Sequence, residues 1–500
     1  MTDNIDITSL PEKVRKFGAF VDGKIQPPLL GHTTIRNSPA HDVPVTECAS
    51  CSEDDVNIAV TSARAAFDDR RWSGLSGSQR ATVLLNAGKL IRERNNEIAY
   101  WETLETGKPI SQTIGEVAGC ADMFDYASGL ARTIHGDSFN NLGDDLFGVV
   151  TREPVGVVGL ITPWNFPFLI LCERVPYILA SGCTLVAKPS EVTSATTVLL
   201  AEILSEAGLP NGVMNVVTGS GSVVGQALCE HNQIDMISFT GSTAVGRNVI
   251  RASGETNFKK LGLELGGKNP QIVFADANLL DAADGVAFGM CFNTGQCCVS
   301  GSRLIVERSV MPKFLELLKA KLSKVIVGDP LDKKTQMGAI TTETQNATIL
   351  SYIDKGKEEG AILSFGSGAL DTDVGQFIGP VVFEEVTRDM KVYSDEIFGP
   401  VISVSPFDTI DEAIKMANDT KYGLAASVWS ETVEKVLQVS RQVQAGRFWV
   451  NTTLAGGPEL PLGGFKQSGW GREAGKYGVE EYTQIKSVHF STGKRAHWIQ

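Results

Sequence analysis

The sequence predicts an α/β protein with more than one domain, and three observations lead to that class. The chain has 500 residues, which is too many for one hydrophobic core of ordinary size. Hydrophobic residues make up 42% of it and charged residues 21%, as in packed globular proteins. From residue 157 onward, short β-rich runs alternate with segments of helix length. That alternation indicates parallel sheets with crossover helices.

The region before residue 157 is expected to be mainly helical. Ser52 and the acidic residues after it are typical of a helix cap, and an apolar period follows as far as Phe67. A second helix is predicted over 78–104 and a third over 114–134.

The alternating region divides into two blocks. In the first block we predict strands at 157–161, 184–187, 213–217 and 234–239, with helices at 168–181, 194–207 and 222–231. This block should be Rossmann-like. A second alternation begins after Gly267, with strands at 271–274 and 303–306 and a helix near 311–323. It predicts a second α/β domain.

Composition excludes several classes of function. The net charge of −13 and pI near 5.1 argue against a nucleic-acid partner or an anionic membrane surface. No apolar run is long enough to span a membrane, and the first residues lack signal-peptide features. Nine cysteines without framework spacing favour a reducing, cytoplasmic location. The six histidines lack ligand spacing, so no catalytic metal is expected.

Three segments carry the groups that a thiol nucleophile followed by hydrolysis requires. Cys298, in the segment GQCC, offers the sulfur. Glu264, in LELGGK, offers a base to activate water, and Asn165, in PWNFP, offers an amide donor for an oxyanion. Taken singly, each has an ordinary alternative: a small buried thiol, a surface turn carboxylate and a turn-shaping amide.

Together with the segment EIFGP at 396–400, these motifs resemble the NAD(P)-dependent aldehyde dehydrogenase superfamily of the hydrolytic, non-acylating type, from about residue 20 to about 490. The resemblance implies that the Cys298 thiolate attacks the aldehyde carbonyl and that Asn165 and the Cys298 N–H hold the oxyanion. After hydride transfer, Glu264 would activate water to hydrolyse the thioester. In the pattern GQxC the nucleophile is Cys298, whereas Cys297 is not.

The resemblance also implies three structural parts. They are an NAD-binding domain at 1–136 and 156–265, a catalytic domain at 266–478, and a small β bridging or oligomerisation segment at 137–155 and 479–500. Hairpin-like alternation around Gly143 and a strand-like run at 482–490 agree with the third part. Such an exposed arm predicts a homodimer or homotetramer.

Several residues are expected to bind the cofactor. Gly221 and Gly225 follow a strand, although their spacing departs from the usual dinucleotide fingerprint. Ser242 would cap a helix whose free N–H groups suit a pyrophosphate; a plain N-cap is the alternative. By resemblance, Lys188 and Glu191 hold the adenosine ribose, and a carboxylate there favours NAD over NADP. The resemblance adds Ile161, Thr162, Trp164, Phe239, Glu396 and Phe398.

The substrate is a small-molecule aldehyde, and its tunnel is predicted from positions that the family varies. They are Phe166, Glu173, Val299, Gly456 and Leu462. Glu173, Gly456 and Leu462 stand where relatives carry aromatic rings, which predicts a wide and acidic tunnel. A betaine- or aminoaldehyde-specific enzyme is therefore an alternative. Pairing of Glu173 with Arg174 would instead make the pocket neutral.

Two rival functions stay open. A CoA-acylating relative would usually lack the deacylating glutamate, and an inactive NAD-binding protein would be free to lose Cys298 or Glu264. Glu473 matches a second acidic position that assists proton transfer, or it belongs to a structural ion pair.

Overall fold

The computed structural model describes residues 6–495 and 497–499. The strands are β1 (Arg15–Phe17), β2 (Ala19–Val21), β3 (Lys24–Gln26), β4 (Thr33–Asn37), β5 (Pro44–Ala49), β6 (Ser138–Phe139), β7 (Leu146–Pro154), β8 (Val157–Ile161), β9 (Thr184–Lys188), β10 (Met214–Val216), β11 (Met236–Thr240), β12 (Lys260–Glu264), β13 (Pro270–Val273), β14 (Arg303–Glu307), β15 (Ile362–Phe365), β16 (Val381–Glu384), β17 (Val401–Phe407), β18 (Ala425–Trp429), β19 (Arg447–Val450), β20 (Gly469–Trp470) and β21 (Thr483–Ser491).

The α-helices alternate with these strands over most of the chain. They are α1 (Glu53–Asp68), α2 (Gly77–Glu93), α3 (Asn95–Thr106), α4 (Ile110–Ala131), α5 (Pro167–Cys172), α6 (Val175–Ser181), α7 (Ala195–Glu206), α8 (Gln226–Glu230), α9 (Thr243–Glu255), α10 (Leu279–Cys291), α11 (Met311–Leu322), α12 (Glu343–Glu358), α13 (Lys391–Ser394), α14 (Ile410–Asn418), α15 (Val433–Gln442) and α16 (Gly475–Glu481). No helix in the described part of the chain is long and apolar enough to cross a membrane.

The helices before residue 157 follow their capping signals, with two differences from the prediction. Ser52 and Asp55 form a reciprocal capping box at the start of α1, as expected. The single helix predicted over 78–104 is wrong: α2 ends and α3 begins around Arg94, which leaves helical geometry with ψ near 15°. Helix α4 begins earlier than predicted, directly after Pro109, because first-turn N–H groups need no intrahelical partner.

The first large sheet confirms the predicted Rossmann-like block. Its eight strands lie in the order β20-β12-β11-β8-β9-β10-β2-β3, and β12 to β10 are parallel. Alternate residues of its strands face two separate cores. Leu185 packs with α2 to α7 on one face, and Val186 packs with α1 and α9 on the other.

The second large sheet has the order β15-β16-β17-β14-β13-β18-β19, and all neighbours except β15 and β16 are parallel. Leu304 faces α10 and α11, whereas Ile305 faces α14 and α15. The fold class is therefore α/β with two covered sheets, as predicted.

Two small sheets complete the fold. Strands β1, β5 and β4 form one of them. In the other, β21 pairs with β7 in antiparallel register from Thr483↔Pro154 to Ser491↔Leu146, and β6 adds to the free side of β7. Most of β21 is exposed, including Ile485 at 67%. One strand crosses a predicted boundary: β20 lies within 266–478, yet it pairs with β12 at the edge of the first sheet.

Candidate active site

The candidate site lies where β12 ends and the chain passes to the second sheet. Glu264 is the last residue of β12, at the same sheet edge as the ends of β8 and β11. Parallel strands of an open α/β sheet present their carboxyl ends at one edge, where ligands bind. From Glu264 the chain reaches β13 through Gly266 and Gly267.

Gly266 and Gly267 are required because other groups come close to their backbone. A side chain on Gly266 would meet Glu396 Oε2 at 2.0 Å, and one on Gly267 would meet the Cys298 carbonyl oxygen at 2.4 Å. The Gly267 N–H donates to Glu396 Oε1 over 2.8 Å. The motifs LELGGK, GQCC and EIFGP therefore meet at this turn.

The segment that carries Cys298 is held by two asparagine amides. Asn293 has a positive φ of 49° and donates from Nδ2 to the carbonyl oxygens of Asn165 (2.8 Å) and Gln296 (3.0 Å). Asn269 Nδ2 donates to the Cys298 carbonyl oxygen over 2.8 Å. We did not predict either residue from the sequence. The sequence did offer one signal for Asn293, because an asparagine close to a glycine at the end of a helix is typical of a positive φ.

Asn165 lies against the same segment. Its buried Nδ2 donates to the Gln296 carbonyl oxygen over 3.0 Å. A primary amide carries two N–H groups, so the second is left for an oxyanion. The structure thus brings the predicted donor and the predicted nucleophile onto one hydrogen-bonded unit.

Cys298 and Cys297 differ in environment. Of the nine cysteines, all free and all within the described residues, Cys298 is the one that is not buried. Cys297 is 6% exposed and packs with Phe166 and Ile170, and Leu169, Phe292 and Val299 border this cluster. The hydrogen bond between the two thiols, burial and the charges of Glu396 and Glu173 raise the pKa of Cys298 well above its usual range. The thiol therefore needs a base or a bound positive group to ionise.

Glu264 is buried, and among the described residues neither of its carboxyl oxygens has a hydrogen-bond partner. Burial raises the pKa of Glu264 well above its usual range; Arg174 opposes this shift, and the charges of Glu473, Cys298 and Glu173 add to it. A buried carboxyl without a partner and with a raised pKa has the properties of a general base for neutral pH.

A buried ion-pair cluster stands close to Glu264. Arg174 Nη1 lies 3.4 Å from Glu173 Oε2, and its Nε lies 3.6 Å from Glu473 Oε1. Glu473 Oε2 also accepts a 2.8 Å hydrogen bond from the Tyr482 hydroxyl. Arg174 is thus shared by Glu173 and Glu473 and can neutralise one of the two carboxylates, and Glu473 has the partners of a structural ion pair.

Polar groups suited to a dinucleotide line the strand ends of the first sheet. Lys188 and Glu191 approach to 3.4 Å, and the Glu191 side chain is 46% exposed. Ser242 caps α9 through the Val245 N–H. After β10, residues 221–225 form a π-helical turn in which Gly221 is exposed and Gly225 is buried. Ile161, Thr162 and Phe239 lie at the ends of β8 and β11.

Three buried hydroxyls at this edge have no hydrogen-bond partner among the described residues: Thr162, Thr240 and Thr243. Unpartnered buried donors of this kind fit a polar cofactor. On the side of the catalytic segment, Trp164 meets Phe398 edge to face at 5.5 Å, and Phe398 has a φ of 59°. Burial raises the pKa of Glu396 to about 7.

A cavity of about 840 Å³ opens beside this site and is lined in part by Leu169, Phe292 and Gly456. Nothing lies within 4 Å of a side chain placed on Gly456, which agrees with a wide tunnel. Of the five predicted tunnel residues, Gly456 lines this cavity, whereas Phe166, Glu173, Val299 and Leu462 are not among the described residues that line it. Leu462 is buried and exchanges backbone hydrogen bonds with Glu473.

The fold and the arrangement of a thiol, a carboxyl and an amide beside a dinucleotide-type sheet define the class: an oxidoreductase that acts on aldehydes. Sequence comparison agrees, because the profile of the aldehyde dehydrogenase family matches residues 31–488. The chain belongs to that family.

Three relatives illustrate the similarity. Aldehyde dehydrogenase [NAD(P)+] 2 from Saccharomyces cerevisiae is 41% identical over 500 residues, with 97% of each chain covered. The crystal structure of NAD-dependent aldehyde dehydrogenase from Sinorhizobium meliloti has a TM-score of 0.97 at 47% identity, and covers 99% of this chain and 98% of that one. Betaine aldehyde dehydrogenase from Staphylococcus aureus, in complex with NAD+, has a TM-score of 0.94 at 34% identity, covering 96% and 95%. The chain is thus an NAD(P)-dependent aldehyde dehydrogenase.

Proposed function

We propose that the enzyme oxidises an aldehyde to the carboxylic acid by the hydrolytic route, with Cys298 as nucleophile, Glu264 as deacylating base and Asn165 as oxyanion donor. The observation that carries the proposal is the contrast between two groups. Cys298 is the cysteine that is not buried, whereas Glu264 is a buried carboxyl with no hydrogen-bond partner among the described residues. The charge of Cys298 contributes to the raised pKa of Glu264.

The steps follow from these environments. The Cys298 thiol loses its proton to solvent, and its sulfur adds to the aldehyde carbon. The carbonyl oxygen becomes an oxyanion that accepts from the Asn165 Nδ2–H and the Cys298 N–H. A nicotinamide cofactor bound beside this segment would supply the acceptor for the hydride that leaves the same carbon. The resulting thioester on Cys298 needs water, and Glu264 in its carboxylate form removes the proton from that water. The raised pKa of Glu264 makes it a stronger base than an exposed glutamate.

The hydrolytic outcome is favoured over acyl transfer to CoA because Glu264 is present and unpartnered. An assay of NADH formation with a panel of aldehydes, with and without CoA, tests the choice. We expect carboxylic acid and NADH without CoA. Strict dependence on CoA would overturn the hydrolytic proposal, and no NADH with any aldehyde would favour the inactive alternative.

For the cofactor we propose a preference for NAD over NADP. Glu191 supports it, since its partly exposed carboxylate lies 3.4 Å from the buried Lys188 ammonium at the end of β9. A carboxylate in this place accepts from a ribose hydroxyl and repels a 2′-phosphate. Comparison of kcat/KM with NAD and NADP tests the preference directly.

We further propose that the β6–β7–β21 arm assembles two or more subunits and that the domains divide as the sequence analysis set out. The arm is supported by β21, whose exposed edge and apolar side chains such as Ile485 and Phe490 are suited to covering by a partner. Light scattering at micromolar concentration should show a dimer or tetramer; a monomer would contradict the proposal. A cytoplasmic location stays a prediction.

The charge of the preferred aldehyde needs a separate argument. A betaine- or aminoaldehyde preference relied on an acidic tunnel wall at Glu173. The buried Arg174 lies 3.4 Å from Glu173 but also 3.6 Å from Glu473, so it compensates the Glu173 charge in part. This pairing weakens the argument for a cationic preference, although betaine aldehyde dehydrogenase is among the similar structures.

A further inference from the structure

The 840 Å³ cavity beside the catalytic segment has two unlike sides. Its apolar wall is formed by Leu169, Ala287, Phe288, Phe292 and Val325. Its basic rim, as we call it, is formed by Lys321, Lys324, Lys333 and Lys334. A cavity with this division suits a ligand that has an apolar body and a charged end.

The apolar wall leads toward the catalytic segment. Phe288 is 48% exposed and lies 5.3 Å from Phe292, ring centre to ring centre. Phe292 stacks on Phe166 at 5.8 Å, and Phe166 is buried directly after Asn165. Phe288 and Phe292 line the cavity, and Phe166 is the buried ring behind them that follows Asn165 in the chain, so the three rings form a continuous aromatic row toward the catalytic segment. An exposed ring in a concave surface is typical of a binding site.

The inner end of this aromatic row is fixed by a buried ion cluster. Lys108 Nζ lies 4.6 Å from the centre of the Phe166 ring and bonds to Glu102 (2.7 Å) and Glu116 (2.6 Å). Glu116 is one of two acidic residues on the cavity lining. Glu116 shares the Lys108 ammonium with Glu102, so its charge is compensated in part, and burial raises the pKa of Glu116 above its usual range, which favours the uncharged form.

The other acidic residue, Asp284, bonds to Lys321 Nζ over 2.6 Å. Within the described part of the chain, Lys324, Lys333 and Lys334 have no ion-pair partner. The nearby Asp332 carboxylate accepts the Lys334 backbone N–H, which fixes the turn. With four lysines against Asp284 and Asp332, the basic rim keeps a net positive charge on a protein whose net charge is −13. A local excess of positive charge at the mouth of a cavity attracts anions, even on a protein that is acidic overall.

We propose that the cavity takes aldehydes whose apolar body ends in a carboxylate remote from the carbonyl. The carbonyl end reaches Cys298, the body lies along Phe292 and Phe288, and the carboxylate meets Lys333 and Lys334 at the rim. This proposal rests on the proposed function, because it assigns a substrate class to the same catalytic residues. It is opposite in sign to a cationic preference.

The test compares three aldehydes of equal chain length: azelaic semialdehyde, nonanal and the ω-trimethylammonio derivative of nonanal. In the wild type we expect kcat/KM for azelaic semialdehyde to exceed that for nonanal by about tenfold at low ionic strength. The gap should narrow as salt is added, since exposed charges are screened. Succinic semialdehyde should gain less, because its carboxylate is too close to the carbonyl to reach the rim.

The variant Lys333→Glu/Lys334→Glu reverses the rim charge. The ratio of kcat/KM for azelaic semialdehyde to that for nonanal should fall by about tenfold or more. The matched control Lys13→Glu/Lys24→Glu makes the same change in net charge at exposed residues outside the cavity lining, and it should keep the wild-type ratio.

Three results would overturn the substrate class. They are equal ratios in the rim and control variants, a wild-type ratio near one, and a wild-type preference for the trimethylammonio aldehyde. Failure of the proposed function is recognised separately. In that case the wild type would produce no NADH with nonanal or any of the other aldehydes.

Discussion

The catalytic segment is buried and held by hydrogen bonds, whereas the mouth of the cavity beside it is exposed and has few such contacts. Around Cys298, backbone carbonyls are held by the amides of Asn165, Asn269 and Asn293, and almost every group is buried. At the cavity mouth, Phe288 and the three lysines Lys324, Lys333 and Lys334 are exposed, and within the described structure those lysines have no ion-pair partner. Chemistry needs fixed geometry, whereas substrate choice needs only a surface of the right charge and shape.

The comparison predicts that substitutions in the catalytic segment reduce activity severely and that substitutions around the segment have smaller effects. The largest effect should come from Cys298→Ala, which should abolish NADH formation while NAD still binds. Cys297→Ala, the matched control in the apolar cluster, should retain most activity. Steady-state assays and NAD titration measure the two effects. Reversed phenotypes would show that the register of GQCC is misassigned.

Glu264→Gln should stop turnover after one round. Hydride transfer does not need Glu264, so a burst of NADH close to one per active site should precede a very slow steady state. Rapid mixing measures the burst, and recovery of the thioester on Cys298 by mass spectrometry identifies the stalled species. Full steady-state turnover at neutral pH would show that another base activates the water that hydrolyses the thioester.

The pH dependence of the wild type follows from the same group. Burial raises the pKa of Glu264, so its carboxylate form is lost as the pH falls through that raised value. The steady-state rate should therefore rise with pH until the raised pKa of Glu264 has been passed. In Glu264→Gln the slow steady-state rate should not show this rise with pH. If the rate of the variant rose with pH as in the wild type, the rise would belong to another group, such as Cys298.

Asn165→Ala should reduce kcat by about a hundredfold to a thousandfold, because one oxyanion donor is removed. The Asn165 side chain also donates to the Gln296 carbonyl oxygen, so the Ala variant removes a contact that positions the catalytic segment as well as the oxyanion donor. Asn165→Asp keeps the shape but replaces the donor by an acceptor, and it should be as impaired. An Asp variant with near wild-type kcat would remove Asn165 from the oxyanion site.

Sequence patterns predicted the parts of the molecule that depend on local periodicity. The strand Val157–Ile161 and the Ser52 cap are found as expected, because hydrophobic alternation and capping chemistry are local. The break at Arg94 was missed because Ile91 and Ile98 keep a helical spacing on either side of the polar run 92–97. The pairing of β20 with β12 was missed because it joins residues far apart in the chain.

The same distinction holds for the site. The motifs located Cys298, Glu264 and Asn165, but they could not show that Glu173 faces Arg174 or that Lys108 lies over Phe166. Adjacent residues in sequence point in directions that the fold decides. The ring of Phe166 and the ammonium of Lys108 meet only after two helices and a sheet have packed.

The smallest effect concerns the cofactor side, where Glu191 is partly exposed and its ion pair with Lys188 is screened by solvent. Glu191→Ser should improve the ratio of kcat/KM with NADP to that with NAD by about tenfold, because the repulsion of a 2′-phosphate is removed. Lys188 keeps its ammonium in the variant and is then free to meet that phosphate. Glu202→Ser, on the outer part of α7, is the matched control and should leave the ratio unchanged. A wild type that prefers NADP, or a Glu191→Ser ratio equal to that of the control, would show that the carboxylate does not face the ribose.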